Sequence, residues 1–422
     1  EEFMSMEEKQ NFQTSQDFSL SILKPNSEEA IAEAIKHCYK KNIPLEINGL
    51  GSKKNIGKNF QSQKTLDLSK YSGIIKYEPE ELYIKVKSGT SIKEIKEELD
   101  KKNQQLAFEP NDFGFLFEGE SNEGTIGGVL SINFAGPRRF KVGSARDHIL
   151  GFKGVNGKGE IIKSGGTVVK NVTGYDLSKI ITGSFGTLSV FTEISVKVLP
   201  KADLTKTLIV ENPHLKKGLE YLNIALGSST DPSGGVFYPE YFRSQFVFND
   251  LTTEGPITAI RIEGSKLSVD ERINQLLKEL NVSSKEVSIL DPSQSNIFWE
   301  NSRCLKVFKN LKSNLLRIIV PASEVFELTN KLKPYNVKYF IDWGGNLIWL
   351  QIDELNLNSL KEIRSLVKNL GGYLTAIKVD ESLKASIDIF TIDEVKYKIS
   401  EKIKKSFDPK RILNPGKMYT GI

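Results

Sequence analysis

Three glycine-dense runs carry the residue types best suited to hold an anion. The first is Gly49-Leu50-Gly51-Ser52-Lys53-Lys54, set directly after Pro44-Leu45-Glu46-Ile47-Asn48. The second is Gly124-Thr125-Ile126-Gly127-Gly128, and the third is Gly183-Ser184-Phe185-Gly186-Thr187-Leu188-Ser189-Val190. Glycine admits positive φ and lets a ligand approach the main chain without a Cβ in the way. Successive main-chain N–H groups in such turns form a concavity that accepts a pyrophosphate. Taken singly, each run reads equally well as a turn in a β-rich chain. Two familiar phosphate signatures fail. A dinucleotide fingerprint needs glycine where Lys54 stands. A P-loop needs four residues between its glycines and a hydroxyl residue after its lysine; here five separate Gly51 from Gly57, and Asn59 follows Lys58.

The elements that must position these runs are legible as local patterns. Asn26 with Glu29 reads as a capped helix start, with Ile31, Ile35 and Cys38 on one face and Asn42 at the end. Residues 44–48, 66–69 and 82–86 read as strands, and Ser91 with Glu94 caps a helix whose buried face is Ile92, Ile95 and Leu99. Asn156-Gly157-Lys158-Gly159 is a hairpin signal between 148–152 and 160–162. A short helix follows through Ser178-Lys179-Ile180-Ile181, then a strand over 190–198 that Pro200 stops. Beyond Pro200 the glycine-rich loops cease. Strands at 257–262, 315–320, 337–341, 346–352 and 373–377 alternate with helices ending near Leu280 (from Ser268 with Glu271), Leu332 (from Ser323) and Leu370. Antiparallel strands with helices gathered between them imply an α+β, ferredoxin-like domain.

Bulk properties bound the rest. A chain of 422 residues is too long for one core, so two or three domains are expected. The net charge of +5 is small beside 58 basic and 53 acidic residues, and no basic stripe with interleaved aromatics marks a nucleic-acid surface. Cys38 and Cys304 are too few for a metal or iron–sulphur site and read as small apolar packing residues. No metal is expected. No apolar run reaches the ~18–20 residues of a membrane span, and the acidic start lacks the regions of a signal peptide. A cytoplasmic protein is expected, with residues 1–17 frayed.

The order of pieces from Gly124 to Pro200 resembles the FAD-binding domain of the vanillyl-alcohol oxidase / p-cresol methylhydroxylase flavoprotein family, and within it the glycolate oxidase subunits. The resemblance rests on Gly136-Pro137-Arg138-Arg139, Arg146-Asp147 before Leu150-Gly151, Lys170-Asn171-Val172 running into Gly174-Tyr175-Asp176-Leu177, and Gly183-Ser184 before Gly186-Thr187-Leu188. Trp343-Gly344-Gly345 and the tail from Phe407 to Met418 fit it too. It implies a two-subdomain PCMH-type FAD-binding domain over 18–200, an α+β cap on the substrate side over 201–400, and a segment over 401–422 returning to the first domain.

The resemblance also implies which residues hold the cofactor. Gly49, Leu50, Gly51, Ser52 and Lys53 match the first pyrophosphate loop, whose N–H groups would wrap the diphosphate. Gly124, Thr125, Gly127, Gly128, Ser131 and Asn133 form the second run, and Gly174, Asp176, Gly183, Gly186, Thr187 and Val190 the third. Glu109 and Pro110 belong to a segment that lines the flavin in relatives; for Asn111 and Phe113 an ordinary surface loop is the alternative. No histidine stands near the first loop, so noncovalent FAD is implied.

Oxidising a 2-hydroxy acid needs a base for the hydroxyl proton and a cation for the carboxylate. Catalytic relatives use a His-x-Gly-Asp-Gly-Asn-type motif, whereas His37, His148 and His214 are the chain's three histidines and none lies in one. Arg138 and Arg139 are candidates for a carboxylate clamp or docking surface, the alternative being local ion pairs with neighbours such as Glu118 or Asp147. The missing acid–base set fits an electron-handling subunit of a glycolate dehydrogenase, partnered by a second flavoprotein and an iron–sulphur subunit, with membrane contact through those partners. The competing readings are a self-sufficient 2-hydroxyacid dehydrogenase using Arg138 with Trp299 or Trp343, and an assembly subunit that has lost FAD.

Overall fold

Ser27, rather than the expected Asn26, starts the first helix, Glu28–Lys41: its Oγ accepts the Ala30 N–H at 3.1 Å, a reach that the residue before it lacks. Ile31, Ala34, Ile35 and Cys38 form its buried face, and Asn42 at φ 57° closes it. That face covers a parallel three-stranded sheet ordered Ile22–Leu23, Lys64–Asp67, Leu45–Asn48. The computed structural model describes residues 17–166, 176–246, 248, 254–309 and 311–422; Lys170-Asn171-Val172 and Gly174-Tyr175 lie outside them.

A five-stranded antiparallel sheet stands beside the first, in the order Ile74–Glu78, Tyr83–Lys87, Ser189–Lys197, Ile149–Asn156, Ile161–Gly165. The hairpin expected at residues 156–159 joins the last two strands. Helix Ile92–Asp100, capped by Ser91 Oγ from Glu94 N at 3.1 Å, and helix Ile126–Ile132 bury Ile92, Ile95, Leu99, Ile126, Val129 and Leu130 against Ile84, Val86, Ile194 and Val196. Each such side chain contributes about 1.5–3 kcal/mol by leaving water, so the short Ile126–Ile132 helix is held by packing rather than by its own length.

After Pro200 the chain builds one eight-stranded antiparallel sheet, ordered Val287–Leu290, Leu204–Glu211, Ile257–Gly264, Gly234–Tyr238, Val337–Asp342, Leu347–Ile352, Asn314–Ile319, Tyr373–Lys378. The chain order within it is a βαββαβ unit made twice. In the first unit, helices Leu215–Gly227 and Lys266–Leu280 follow the first and third strands; in the second, Val325–Leu332 and Leu357–Asn369 do so. The expected ferredoxin-like cap is built from two such units, joined edge to edge where Phe237 pairs with Ile341. The strand Leu204–Glu211 and the Gly234–Tyr238 strand complete the first. Helix Lys266–Leu280 starts after Ser265, three residues earlier than the expected Ser268, whose carbonyl instead accepts from Arg272 Nε.

The tail returns to the first sheet. Leu45 N donates to Ile412 O at 2.7 Å, and Asn414 N to Leu45 O at 2.9 Å. Lys404, at the end of helix Glu394–Phe407, is fully buried; its Nζ reaches Asp408 at 2.8 Å, Thr187 O at 2.7 Å and Leu413 O at 3.0 Å. A buried ammonium is tolerable only when its donors are satisfied in this way. Phe113, Phe134 and Phe185 of the first domain join the hydrophobic core of the second, so the two domains share a packed seam.

Candidate functional site

The first glycine run leaves strand Leu45–Asn48 and turns at Gly51, whose φ of 77° suits glycine. The main-chain N–H groups of residues 49–53 donate to nothing else among the described residues, while Lys54 N closes the turn onto Gly51 O at 3.1 Å. Five unspent donors around one turn are an anion cradle. Lys53 pins the loop from behind: its Nζ donates to Glu123 O at 2.7 Å and Ser52 Oγ at 2.8 Å. Burial brings this ammonium down to about 8, against the opposing pull of Asp112 and Glu123.

The second run works differently from the first. Its N–H groups are spent: Ile126 N on Thr90 O at 2.9 Å, Gly127 N on Ser88 O at 2.9 Å, Gly128 N on Thr125 Oγ1 at 3.2 Å. Its glycines instead give close approach. A Cβ on Gly124 would run into Ser52 Oγ and lie 2.7 Å from Lys53 Nζ, so Gly124 packs beneath the first loop. A Cβ on Gly128 would meet only Thr125 Oγ1 at 3.5 Å and Lys53 Cδ at 3.8 Å, and otherwise faces a cleft.

That cleft encloses about 810 Å³ of space, its open mouth included. It brings together Gly49, Leu50, Gly51, Ser52, Lys53, Thr125, Gly127, Gly128, Ser131, Gly186 and Val190. The other sequence candidates lie off its wall. Asn133 caps helix Ile126–Ile132 at φ 52° and accepts from Arg146 N at 2.9 Å. Gly183 N donates to Leu130 O, Thr187 Oγ1 donates to Ser184 O at 2.7 Å, and Asp176 is exposed before helix Leu177–Ile181. Gly174 is outside the described residues.

Sequence reasoning missed several wall residues, among them Ser88, Phe185, Ser189, Asn414 and Lys417. Asn414 ties the site together, accepting from Ile47 N at 2.8 Å and donating to Phe185 O at 2.8 Å. Only the tail's return to the first sheet brings it there. Ser88 Oγ and Ser189 Oγ are buried on the wall with no hydrogen-bond partner among the described residues. Orphaned hydroxyls of this kind call for an external partner.

Glu109 and Pro110 lie not on the cleft but in a groove between the domains, with Arg138, Arg261 and Glu263. Arg138 Nε and NH2 donate to Glu263 at 2.9 and 2.6 Å, and NH1 lies 2.9 Å from Glu109 Oε1. Its ion pairs are therefore with Glu109 and Glu263, and not with Glu118 or Asp147, because the cap folds over the Gly136-Pro137 turn. Burial works against the Arg138 charge, but the two carboxylates overcome it and push the guanidinium above its ordinary value. Arg138 is thus committed to holding the domains together. Arg139 makes no ion pair among the described residues and lies 5.7 Å from the Trp343 ring.

The histidines do structural work. His37 stacks on Phe18 at 4.4 Å, His214 Nδ1 accepts Lys217 N at 3.3 Å at the head of helix Leu215–Gly227, and buried His148 bonds Val142 O through Nε2 at 2.9 Å. Both cysteines are buried and free. Among the described residues no cluster of His, Cys, Asp and Glu could hold a metal, and no helix is long and apolar enough to cross a membrane.

Free N–H groups at a glycine turn, buried unpartnered hydroxyls and a long cleft between two sheets suit a dinucleotide. Known proteins agree. Residues 20–165 match the model of the FAD binding domain, and residues 390–418 that of the FAD linked oxidases, C-terminal domain. Glycolate oxidase subunit GlcE of Escherichia coli (strain K12) is 30% identical over 396 residues, spanning 93% of this chain and 98% of the relative. Glycolate oxidase subunit GlcD of Bacillus subtilis (strain 168) is 24% identical over 94% of this chain and 88% of its own. The structure of p-cresol methylhydroxylase with substrate bound superposes at a TM-score of 0.66, with 15% identity, over 94% of this chain and 88% of that one. Fold and site define an FAD-dependent oxidoreductase with a PCMH-type FAD-binding domain and an α+β cap. The chain belongs to the family of FAD-linked oxidases that includes glycolate oxidase subunit GlcE.

Proposed function

We propose that this chain is the FAD-binding subunit of a glycolate dehydrogenase assembly that oxidises glycolate, a 2-hydroxy acid, to glyoxylate. Electrons leave through the flavin to partner subunits, a second flavoprotein and an iron–sulphur subunit. The observation that supports this most is the match to GlcE along nearly the whole of both chains. The lack of a metal cluster and of a histidine-based acid–base pair among the described residues points the same way. Any membrane contact comes through the partners.

FAD supplies the electron acceptor when bound. In this reading the N–H groups of Gly49 to Lys53 take the diphosphate, with Lys53 compensating its charge from behind. Gly128 and Gly186 leave the cleft open, and Ser88 and Ser189 give their free hydroxyls to the cofactor. No histidine or cysteine lines the cleft, so the cofactor is held without a covalent bond. The test is reconstitution: the chain alone should turn over glycolate with an artificial acceptor little or not at all, and addition of the two partner subunits should restore activity. A second reading, a self-sufficient 2-hydroxyacid dehydrogenase, loses Arg138, which is ion-paired, but is favoured by Arg317 in the cap, whose buried Nε has no acceptor among the described residues.

A further inference from the structure

Glu123 sits between the two domains, and each end of it is held by a different one. Its carbonyl accepts Lys53 Nζ of the cofactor loop at 2.7 Å. Its carboxylate lies 2.9 Å from NH1 of Arg303, the last residue of the cap helix Pro292–Arg303, and takes Lys96 of helix Ile92–Asp100 as a second partner. Arg303 is buried, and charges removed from water act on each other more strongly than at a surface.

The residues on either side of Glu123 hold the same loop. Asn122 Nδ2 donates to Leu50 O at 3.2 Å, and Gly124 packs beneath Ser52 with no room for a Cβ. Gly124 O is itself fixed by Ile92 N at 3.0 Å. Residues 122–124 thus meet the loop at Leu50, Ser52 and Lys53, all members of the N–H cradle. The cap grips a neighbouring segment in parallel. Arg303 NH1 donates to Pro110 O, and Asn111 Nδ2 donates to Arg303 O at 2.9 Å. Asp112, next along, accepts Asn122 N at 3.1 Å and Ser121 Oγ at 2.7 Å.

A displacement of Arg303 must therefore either break its pair with Glu123 or carry Glu123 along. Carrying it moves the lysine and the glycine floor that shape the cradle. Charge follows the same route: burial lowers Lys53, Asp112 and Glu123 raise it, and the Arg303 guanidinium adds to the lowering, so the cap's charge is felt at the loop. The pairs of Arg138 with Glu263 and Arg261 with Glu109 also fix the cap, but their members stand away from the cleft wall.

We propose that Glu123 is a positioning residue through which the cap and the cofactor loop set each other. A seated cap holds the loop's N–H groups in place for the FAD diphosphate, and bound FAD in turn tightens the cap helix Pro292–Arg303. Such coupling is reciprocal, because each event changes the free energy of the other by the same amount. No residue of the helix is on the cleft wall, so its response to a ligand in the cleft is an indirect one.

The test compares the full-length chain freed of FAD and saturated with it, reading FAD affinity and amide hydrogen exchange along Pro292–Arg303. In the wild type FAD should slow exchange across the helix about fivefold or more. Glu123→Gln keeps the carbonyl bond to Lys53 but uncouples Arg303; it should bind FAD about tenfold more weakly and lose the slowing even at saturation. A residue that only props the fold would speed exchange equally with and without FAD and leave the difference intact. Glu300→Gln is the control, since it takes a carboxylate from the same guanidinium within the cap and leaves the bridge to Glu123. It should keep both the affinity and the slowing, and Glu123→Asp, with its carboxylate one carbon shorter, should recover part of both. Helix exchange that ignores FAD in the wild type would overturn the proposal, even if the Glu123 variants fold poorly. So would full FAD-dependent slowing in Glu123→Gln, or an equal loss of it in Glu300→Gln, since the charge balance of Arg303 and not the bridge would then govern the helix.

Discussion

Glu109 of the FAD-binding domain and Arg261 of the cap face each other in a two-pronged pair, with NH1 2.9 Å from Oε1 and NH2 3.0 Å from Oε2. Arg261 is 2% exposed, lies 4.6 Å from the Trp299 ring, and spends its remaining donors on Ser233. With Arg138 and Glu263 the pair becomes a four-membered network bridging the domains. The groups most tempting as catalysts in the sequence, Arg138 and Trp299, are thereby parts of the seam between the two domains.

Removing one member of this network leaves a buried charge uncompensated. Arg261→Met should destabilise the chain by about 3–5 kcal/mol, read from denaturant unfolding. The double change Arg261→Met with Glu109→Gln should recover part of that loss, because the stranded carboxylate is gone too. Equal stability of the single variant and the wild type would show that the network is ornamental.

Acid should loosen the same seam. Burial alone would raise Glu300, yet the hydrogen bond and charge of Arg303 hold it down to about 2, and Arg138 and Arg261 depress Glu109 and Glu263 likewise. Depressed carboxyls stabilise above their unfolded value, near 4.5, and that stability is lost as pH falls through the folded value. Asp342 runs the other way: burial, offset in part by the Trp343 N–H, pushes it up to about 7 from 3.8. Its contribution is complete below 3.8 and is lost as pH rises towards 7. The melting temperature should therefore collapse below about pH 4.5, and Asp342→Asn should gain on the wild type as pH climbs from 4 to 7. A constant difference between the two across that window would contradict the assignment.

FAD binding should depend on the two loops for different reasons. Gly51→Val combines a β-branched residue with positive φ and a blocked cradle, whereas Gly128→Val meets no backbone strain and only fills the cleft. Both should cut flavin content to about a tenth or less, while Lys93→Ala, on an exposed helix face 83% open to solvent, should keep it. Full flavin occupancy in Gly128→Val would place the cofactor elsewhere.

How much of this was legible follows from sequence distance. The Gly51 turn, the Ser91 cap, the hairpin at Asn156 and the free first loop are made by residues a few positions apart, so local patterns reveal them. Asn414 on the cleft wall, Glu109 against Arg261 and Arg138 against Glu263 join residues more than a hundred positions apart, and single residues of these types carry no mark of their partner. The second run takes only one of the two uses its glycines allowed. Its glycines suggested donors, but Ser88 O and Thr90 O take up the N–H groups, leaving close packing as their use. The doubled βαββαβ unit was half seen, because the strand Gly234–Tyr238 is short, fully buried and shows no alternation.

Cofactor attachment has a simple readout. Acid precipitation should release all the flavin into the supernatant as intact FAD, since no histidine or cysteine lines the cleft. Colour retained in the washed pellet would mean a covalent bond.

The central claim is that this FAD-holding chain works as one subunit of a 2-hydroxyacid-oxidising assembly. The most direct measurement mixes glycolate anaerobically with the purified, FAD-loaded chain, alone and after reconstitution with the partner subunits proposed above, and follows bleaching of the flavin's visible absorption band, which reports its oxidation state. The account expects the flavin to stay oxidised, or to bleach very slowly, in the isolated chain and to be reduced rapidly in the assembly. Stoichiometric bleaching of the isolated chain at the rate of the assembly would contradict it.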